Sequence, residues 1–258
     1  ILDRVLDRGE LSLSERDRLD GRTVLLTGAS RGLGLATAVE LARRGAHLIL
    51  PLRSRAQETC EHVRRASLGG VVETAKIDLT DLGSIERLVD ELAEDGVELD
   101  VAVLNAGVVP AGSRRTRDGF DEMFQVNVLA NVLLGRRLVD RGVLSRMAGG
   151  GSDANDLSPR RPRIVVVTSE SHRGARPVVP ERLHEPRTYG VGEVVAEYGH
   201  GKLVLETFAS ELSRRIHPDV AVHTACPGAV ATSIAREAPA WAKPVLDPAM
   251  RAFFRSPE

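Results

Sequence analysis

Tyr198 and Lys202 stand four residues apart in Tyr198-Gly199-His200-Gly201-Lys202, a segment that reads as part of one helix. Four residues is about one helical turn, so the phenol and the ammonium project from the same face. A free tyrosine titrates near pH ~10, too high for easy proton exchange at neutrality, and a neighbouring cation pulls that value toward the working range. The spacing therefore predicts a proton donor and acceptor for a carbonyl or an alcohol. The competing reading is two ordinary helix-surface residues. Composition weighs against it, because the chain has only two tyrosines and three lysines and nearly every other cation is arginine. A guanidinium would not be equivalent, since a compact ammonium delivers a point charge where arginine brings a planar fork.

Such a pair needs a scaffold, and the chain supplies alternating strand-like and helix-like segments. Thr23 to Thr27 is a β-branched and leucine run that ends in Gly28-Ala29-Ser30-Arg31-Gly32-Leu33-Gly34, followed by a helical stretch from Ala36 to Arg43. In strand–glycine turn–helix order, the glycines permit close approach to a pyrophosphate and the helix N-terminus supplies N–H groups. The second strand, His47 to Leu52, is followed by Arg53-Ser54-Arg55 where a site selecting NAD would carry an acid. An acid there binds ribose hydroxyls and repels a 2′-phosphate, whereas Arg31 and Arg53 can hold one, so NADP(H) is favoured over NAD(H). With 32 arginines in the chain, the missing acid weighs more than either arginine.

Further on, a helix from about Arg55 to Ser67 and a strand from Val71 to Ile77 lead to Asp78-Leu79. Asp78 either meets an adenine amino group or caps the next helix with Thr80 and Asp81. Helix Ile85 to Glu94 precedes strand Leu99 to Leu104, which ends in Asn105-Ala106-Gly107, the strand edge where ligands sit in open α/β sheets. A long helix is expected from about Asp118 to Leu144. Within it, Asn127 falls on an apolar stripe and needs a partner, either a structural bond in the helix bundle or a water linking Lys202 to solvent. Residues 149–162 read as a flexible loop. Strand Ile164 to Val167 then delivers Thr168, Ser169 and Ser171 to the same edge, where a serine can donate to a substrate oxygen. An irregular stretch from Gly174 to Val191 suits a cleft wall, and the catalytic helix spans about Val194 to Ile216. Strand Val220 to Thr224 ends in Cys226-Pro227-Gly228-Ala229-Val230-Ala231-Thr232, with a tail that resembles a flap.

Composition bounds the rest. At 258 residues with 42% apolar and only eight aromatic side chains, the chain fits one α/β domain over 21–258 with a Val, Leu, Ile and Ala core, preceded by an N-terminal arm over 1–20. Near-neutral charge offers no electrostatic footprint for nucleic acid. Cys60 and Cys226 are too few for a disulfide framework or a metal site, and Cys226 reads as a packing residue. The histidines, His172, His184 and His200 among them, lack metal-ligand spacing and read as environmental. No membrane span or signal peptide is evident, which makes cytoplasmic the default, although the opening residue Ile1 leaves room for an upstream anchor.

Together these stations resemble the short-chain dehydrogenase/reductase family, in its single-domain branch. They are Thr27 through Gly34, Asp78-Leu79, Asn105-Ala106-Gly107, Asn127, Ser169, Tyr198 with Lys202, and Pro227-Gly228 with Thr232. Thr168-Ser169-Glu170-Ser171-His172 and the long gap to Tyr198 look most like retinol-dehydrogenase-like oxidoreductases. The resemblance implies a doubly wound Rossmann fold with a central parallel sheet. It implies that Tyr198 is the acid/base, that Lys202 tunes it and binds the nicotinamide ribose, that Ser169 orients the carbonyl and that Asn127 anchors a relay water. Gly28, Gly32 and Gly34, with Leu33 between them, would cradle the pyrophosphate. Ser30, Arg31 and Arg53 would meet the 2′-phosphate, and Val230 and Thr232 the carboxamide. Family members usually place a further helix and a seventh strand after the flap, so the sheet is expected to end one strand short at Glu258. Homodimers or homotetramers through the helices around Asn127 and Tyr198 would also be in keeping with the family.

The expected function is an NADP(H)-dependent oxidoreductase interconverting a carbonyl and an alcohol on a hydrophobic small molecule. The alternatives are a silent NADP(H)-binding sensor or scaffold and a double-bond reductase on the same fold. Retention of Ser169, Tyr198 and Lys202 together argues against silence.

Overall fold

The computed structural model describes residues 14, 17–144, 161–183, 185, 188–190, 192–216 and 220–228. Short runs of Val, Leu and Ile form six strands: β1 (Thr23–Leu26), β2 (His47–Leu52), β3 (Val72–Lys76), β4 (Val101–Leu104), β5 (Arg163–Val167) and β6 (Ala221–Ala225). They make one sheet in the order β3-β2-β1-β4-β5-β6, every neighbour parallel. Central strands read as continuous apolar runs because both faces are covered. Val24, Leu25 and Leu26 of β1 are all buried, whereas edge strand β3 alternates into solvent.

Helices cover both faces. On one side α1 (Gly32–Arg43) and α2 (Ala56–Arg64) bury Ala38, Ala42, Cys60 and Val63 against β1 and β2. On the other, α3 (Leu82–Glu94) presents Ile85, Leu88, Val89 and Leu92 at helical spacing to a core shared with α4 (Ala130–Asp140) and α5 (Val194–Arg215). This is the expected doubly wound Rossmann architecture. Strand order reverses between β1 and β4, which places the ligand crevice at their carboxyl ends. No described helix is long and apolar enough to cross a membrane.

Two expectations change. The helix read from Asp118 begins instead after Asp121, whose carboxylate accepts from the Phe124 N–H at 3.0 Å. It runs as a short α segment (Glu122–Phe124), a π segment (Gln125–Leu129) and then α4. Second, α1 starts at Gly32, inside the glycine turn, rather than at Ala36. Most of the N-terminal arm, the 149–162 loop and the tail beyond Gly228, including the expected flap and any seventh strand, lie outside the described residues.

The glycine turn closes on itself. A Cβ at Gly34 would fall 2.2 Å from the Gly28 carbonyl oxygen, a backbone atom that cannot swing aside. Gly34→Ala should therefore destabilise the protein by roughly 2 kcal/mol or more in urea denaturation. Gly174→Ala, whose Cβ would enter open space, should change stability by about 0.5 kcal/mol or less. Equal effects of the two would show that the turn is looser than described.

Candidate active site

Three elements bring the catalytic candidates together. α5 carries Tyr198 and Lys202 one turn apart, as their spacing required. β5 ends in Thr168-Ser169, and Ser169 opens a 3-10 turn over Glu170–Gly174. The Ser169 hydroxyl accepts from the Ser171 N–H at 3.3 Å, lies 3.1 Å from the Ser171 Oγ and is near enough to the Tyr198 phenol to lower its pKa. Lys202 is 3% exposed; its Nζ donates to the Val167 carbonyl at 2.8 Å and lies 5.6 Å from the centre of the Tyr198 ring.

Burial governs both titrations. It pushes the Tyr198 phenol up to about 12, with the Ser169 hydroxyl pulling the other way. It also pulls the Lys202 ammonium down to about 8. The expectation that the ammonium brings the phenol toward neutrality is thus overturned for the protein groups by themselves. Each loses water, which penalises the charged form of each, and the hydrogen bond from Nζ goes to Val167 rather than to the phenol. At neutral pH the phenol holds its proton and the ammonium is mostly charged.

Asn127 sits in the π segment, and its carboxamide grips a single residue of the loop after β4. Oδ1 accepts from the Val108 N–H at 2.7 Å and Nδ2 donates to the Val108 carbonyl at 2.9 Å. Its partner is thus a loop rather than the helix bundle. Asn131, not singled out in the sequence although one turn further on, donates to the carbonyls of Val126 and Asn127, each at 3.1 Å, and reaches that of Ala106 at 3.5 Å. Its cue was a second buried-looking amide four residues on.

At the dinucleotide end, the buried Thr27 hydroxyl accepts from the N–H groups of Asn105 at 3.0 Å and Ala106 at 3.1 Å, while Asn105 Nδ2 returns a bond to the Thr27 carbonyl at 2.9 Å. These bonds lock the ends of β1 and β4 together. Gly28 and Gly32 take φ of +74° and +53°, which favour glycine. Gly34 serves differently, by letting the Gly28 carbonyl approach. Arg31 precedes α1 in extended conformation and does not cap it, so the first-turn N–H groups around Leu33 have no side-chain cap.

Arg53 follows β2, with Nη1 3.9 Å from Asp78 Oδ1. That oxygen also accepts from the backbone and hydroxyl of Thr80, at 3.0 and 2.7 Å, so Asp78 supports the turn ahead of α3. The Leu79 carbonyl accepts from Gln125 at 3.3 Å. Ser30 offers its carbonyl to Arg55 at 3.4 Å, and Arg55 is the one described non-glycine residue with positive φ, at +60°. Sequence gives no cue for that conformation.

Pro227 and Gly228 follow β6, Gly228 with φ of +73°. Val230 and Thr232 lie outside the described residues. Cys226, expected to pack, is exposed. His200 is buried, and burial holds its pKa below the usual histidine value. Among the described residues no group of His, Cys, Asp and Glu is placed to hold a metal ion.

The buried ammonium has a cost that depends on pH. Lys202 titrates near 8 in the fold against 10.5 for the ordinary group, so between these values the unfolded chain binds more protons and stability rises with pH. The penalty is full below pH ~8 and fades toward pH ~10.5. Lys202→Met should therefore be more stable than the parent at pH 7, by on the order of 1 to 3 kcal/mol, and the gap should narrow at pH 10. Urea denaturation at the two pH values checks this, and a constant gap would refute it.

Comparison with known proteins accords with this geometry. The family described as short chain dehydrogenase matches residues 22–174. The chain is 37% identical over 212 residues to the short chain dehydrogenase resG of Aspergillus sclerotiorum, covering 77% of this chain and 58% of that one. The chain thus spans little more than half the length of such fungal relatives. It is 34% identical over 254 residues to retinol dehydrogenase 14 of Mus musculus, covering 93% of this chain and 71% of that one. A short-chain dehydrogenase from Sphingobium yanoikuyae, solved in complex with NADPH, superposes with a TM-score of 0.61 at 26% identity, covering 84% of this chain and 74% of that one. With a family match over more than half its length and a relative 34% identical over 93% of the chain, the chain belongs to the short chain dehydrogenase family, among sequences related to retinol dehydrogenases.

Proposed function

We propose that the chain is an NADP(H)-dependent oxidoreductase that interconverts a carbonyl and an alcohol on a hydrophobic small molecule. The observation that carries this reading is the convergence of three groups: the buried Lys202 ammonium lies 5.6 Å from the centre of the Tyr198 ring, and the Ser169 hydroxyl acts on the same phenol, lowering its pKa against the effect of burial.

A dinucleotide fits the crevice. Gly28 and Gly32 take the positive φ of a tight glycine turn, Gly34 lets that turn close, and the first turn of α1 has no side-chain cap that would compete with a phosphate for its N–H groups. Gly32 and Leu33 lie at that helix end, Asn105, Ala106 and Gly107 at the end of β4, and Pro227 and Gly228 after β6. When bound, a reduced nicotinamide supplies the hydride. The protein's own groups do the rest. Ser169 donates to the substrate carbonyl and orients it. Tyr198, neutral because burial raises its pKa, donates its proton to the oxygen as alkoxide character develops. The Lys202 charge then stabilises the phenolate left behind, and Asn127 holds the loop after β4 where a relay water can reach the lysine. The form present at neutral pH is the proton donor, the form that carbonyl reduction uses.

Preference for NADP(H) rests on the missing acid after β2 and on Arg31 and Arg53, joined by the NADPH complex of the Sphingobium protein. A hydrophobic substrate is supported by the apolar surroundings of Tyr198, where Met123, Tyr189 and Val194 pack with Val109, and by the name of the retinol dehydrogenase relative.

Initial rates of NADPH and NADH oxidation with a panel of hydrophobic aldehydes and ketones test the reading. NADPH should be preferred in kcat/KM by about tenfold or more, and Arg53→Ala should lose most of that preference. Tyr198→Phe should lower kcat by about a thousandfold while NADPH affinity changes little. Turnover that survives in Tyr198→Phe would contradict the assignment. Tight NADPH binding without turnover across the panel would favour a sensor.

A further inference from the structure

Ser169 and Tyr198 belong to different elements, so where the serine hydroxyl stands against the phenol depends on how the turn after β5 docks on α5. Two contacts of that dock lie beside the pair. Lys202 reaches back to Val167, and Gly199 lets the helix backbone meet the Ser171 carbonyl, which a Cβ would approach to 2.5 Å. A third lies further along the helix. His172 Nδ1 is 2.7 Å from the Ser169 carbonyl oxygen and 3.3 Å from Glu206 Oε2. A carbonyl only accepts, so Nδ1 carries the proton and donates to Ser169. The same carbonyl also takes the His172 backbone N–H at 3.1 Å. Glu206 stands eight residues past Tyr198 on α5, and its Oε2 is buried without a hydrogen-bond partner. That oxygen faces the same Nδ1 whose proton goes to the Ser169 carbonyl, so Glu206 holds the imidazole by close contact across the dock and not by accepting a hydrogen bond of its own.

The geometry points to His172 and Glu206 as a positioning pair for Ser169. The imidazole ties the serine's own carbonyl to the helix that carries Tyr198, and so sets where the serine hydroxyl meets the phenol. Neither residue touches a reacting atom; both act through Ser169. The inference rests on the proposed role of Ser169 as the group that orients the carbonyl. A merely structural contact would act on the fold whether or not the serine hydroxyl were present, and this distinguishes the two.

The test is a double-mutant cycle on the full chain, with kcat measured at saturating NADPH on the best aldehyde of the panel and NADPH affinity measured by calorimetry. His172→Leu should lower kcat on the order of tenfold with NADPH affinity unchanged. His172→Asn, whose carboxamide can donate from nearly the same place as Nδ1, should recover most of the loss. In a Ser169→Ala background, His172→Leu should cost less than about twofold, because the group it positions is gone. If His172→Leu does not fold, Glu206→Leu completes the same cycle. An equal cost with and without the serine hydroxyl, or no loss in His172→Leu, would overturn the inference while leaving Ser169 catalytic. A parent-like kcat in Ser169→Ala would instead overturn the reading of Ser169, and the positioning role with it.

Discussion

The interior charge of Lys202 is the constraint on which the site depends. A buried ammonium is tolerated only where something accepts its protons, and here the Val167 carbonyl at the end of β5 does so at 2.8 Å. That bond requires α5 to lie close across the carboxyl edge of the sheet. Gly199 allows it, because a Cβ there would fall 2.5 Å from the Ser171 carbonyl oxygen, whereas a Cβ at Gly201 would make only ordinary contact with Val128 of the π segment, at 3.5 Å. Glycine inside a helix costs roughly 1 kcal/mol relative to alanine. Here the absence of a side chain at Gly199 lets the helix seat against the serine turn, which brings the phenol beside Ser169.

The sheet gives that arrangement its second half. Because strand order reverses between β1 and β4, their carboxyl ends open into one crevice, and Thr27 and Asn105 bind the two ends into a fixed floor. Asn127 connects this floor to the helix layer through Val108, so the loop after β4 is held from above and below. The ends of β1 and β4 and the loop held by Asn127 are therefore parts of one hydrogen-bonded frame, supported on both faces of the sheet by aliphatic cores.

Much of this was legible in the sequence. Apolar runs marked β1, β2, β4 and β5 to within two residues, since strands inside the sheet need little else, the more polar edge strands β3 and β6 were placed as closely by their positions before Asp78 and Pro227, and the glycine turn, serine turn and Tyr198–Lys202 spacing fell at strand ends or on one helix face. Other features depend on tertiary placement and leave no local sign. The π segment shifts backbone hydrogen bonds without demanding a composition, so Gln125 to Leu129 read as ordinary helix. Asn127 announced that it needed a partner but not that Val108 would be it. The titration of Tyr198 was read in the wrong direction because proximity of a cation shows in spacing while burial does not. His172 and Glu206 are 34 residues apart and meet only when the turn docks on α5.

The central claim is that this chain moves a hydride onto a carbonyl carbon while Tyr198 supplies the proton. The most direct measurement uses NADPH carrying two deuteriums at the nicotinamide C4, incubated with a reactive hydrophobic aldehyde, and reads the alcohol product by mass spectrometry. The account predicts one deuterium on carbon in alcohol made by the parent chain and none above background with Tyr198→Phe. Parent chain that binds NADPH yet yields no labelled alcohol from any aldehyde of the panel, or label transferred equally by both proteins, would contradict it.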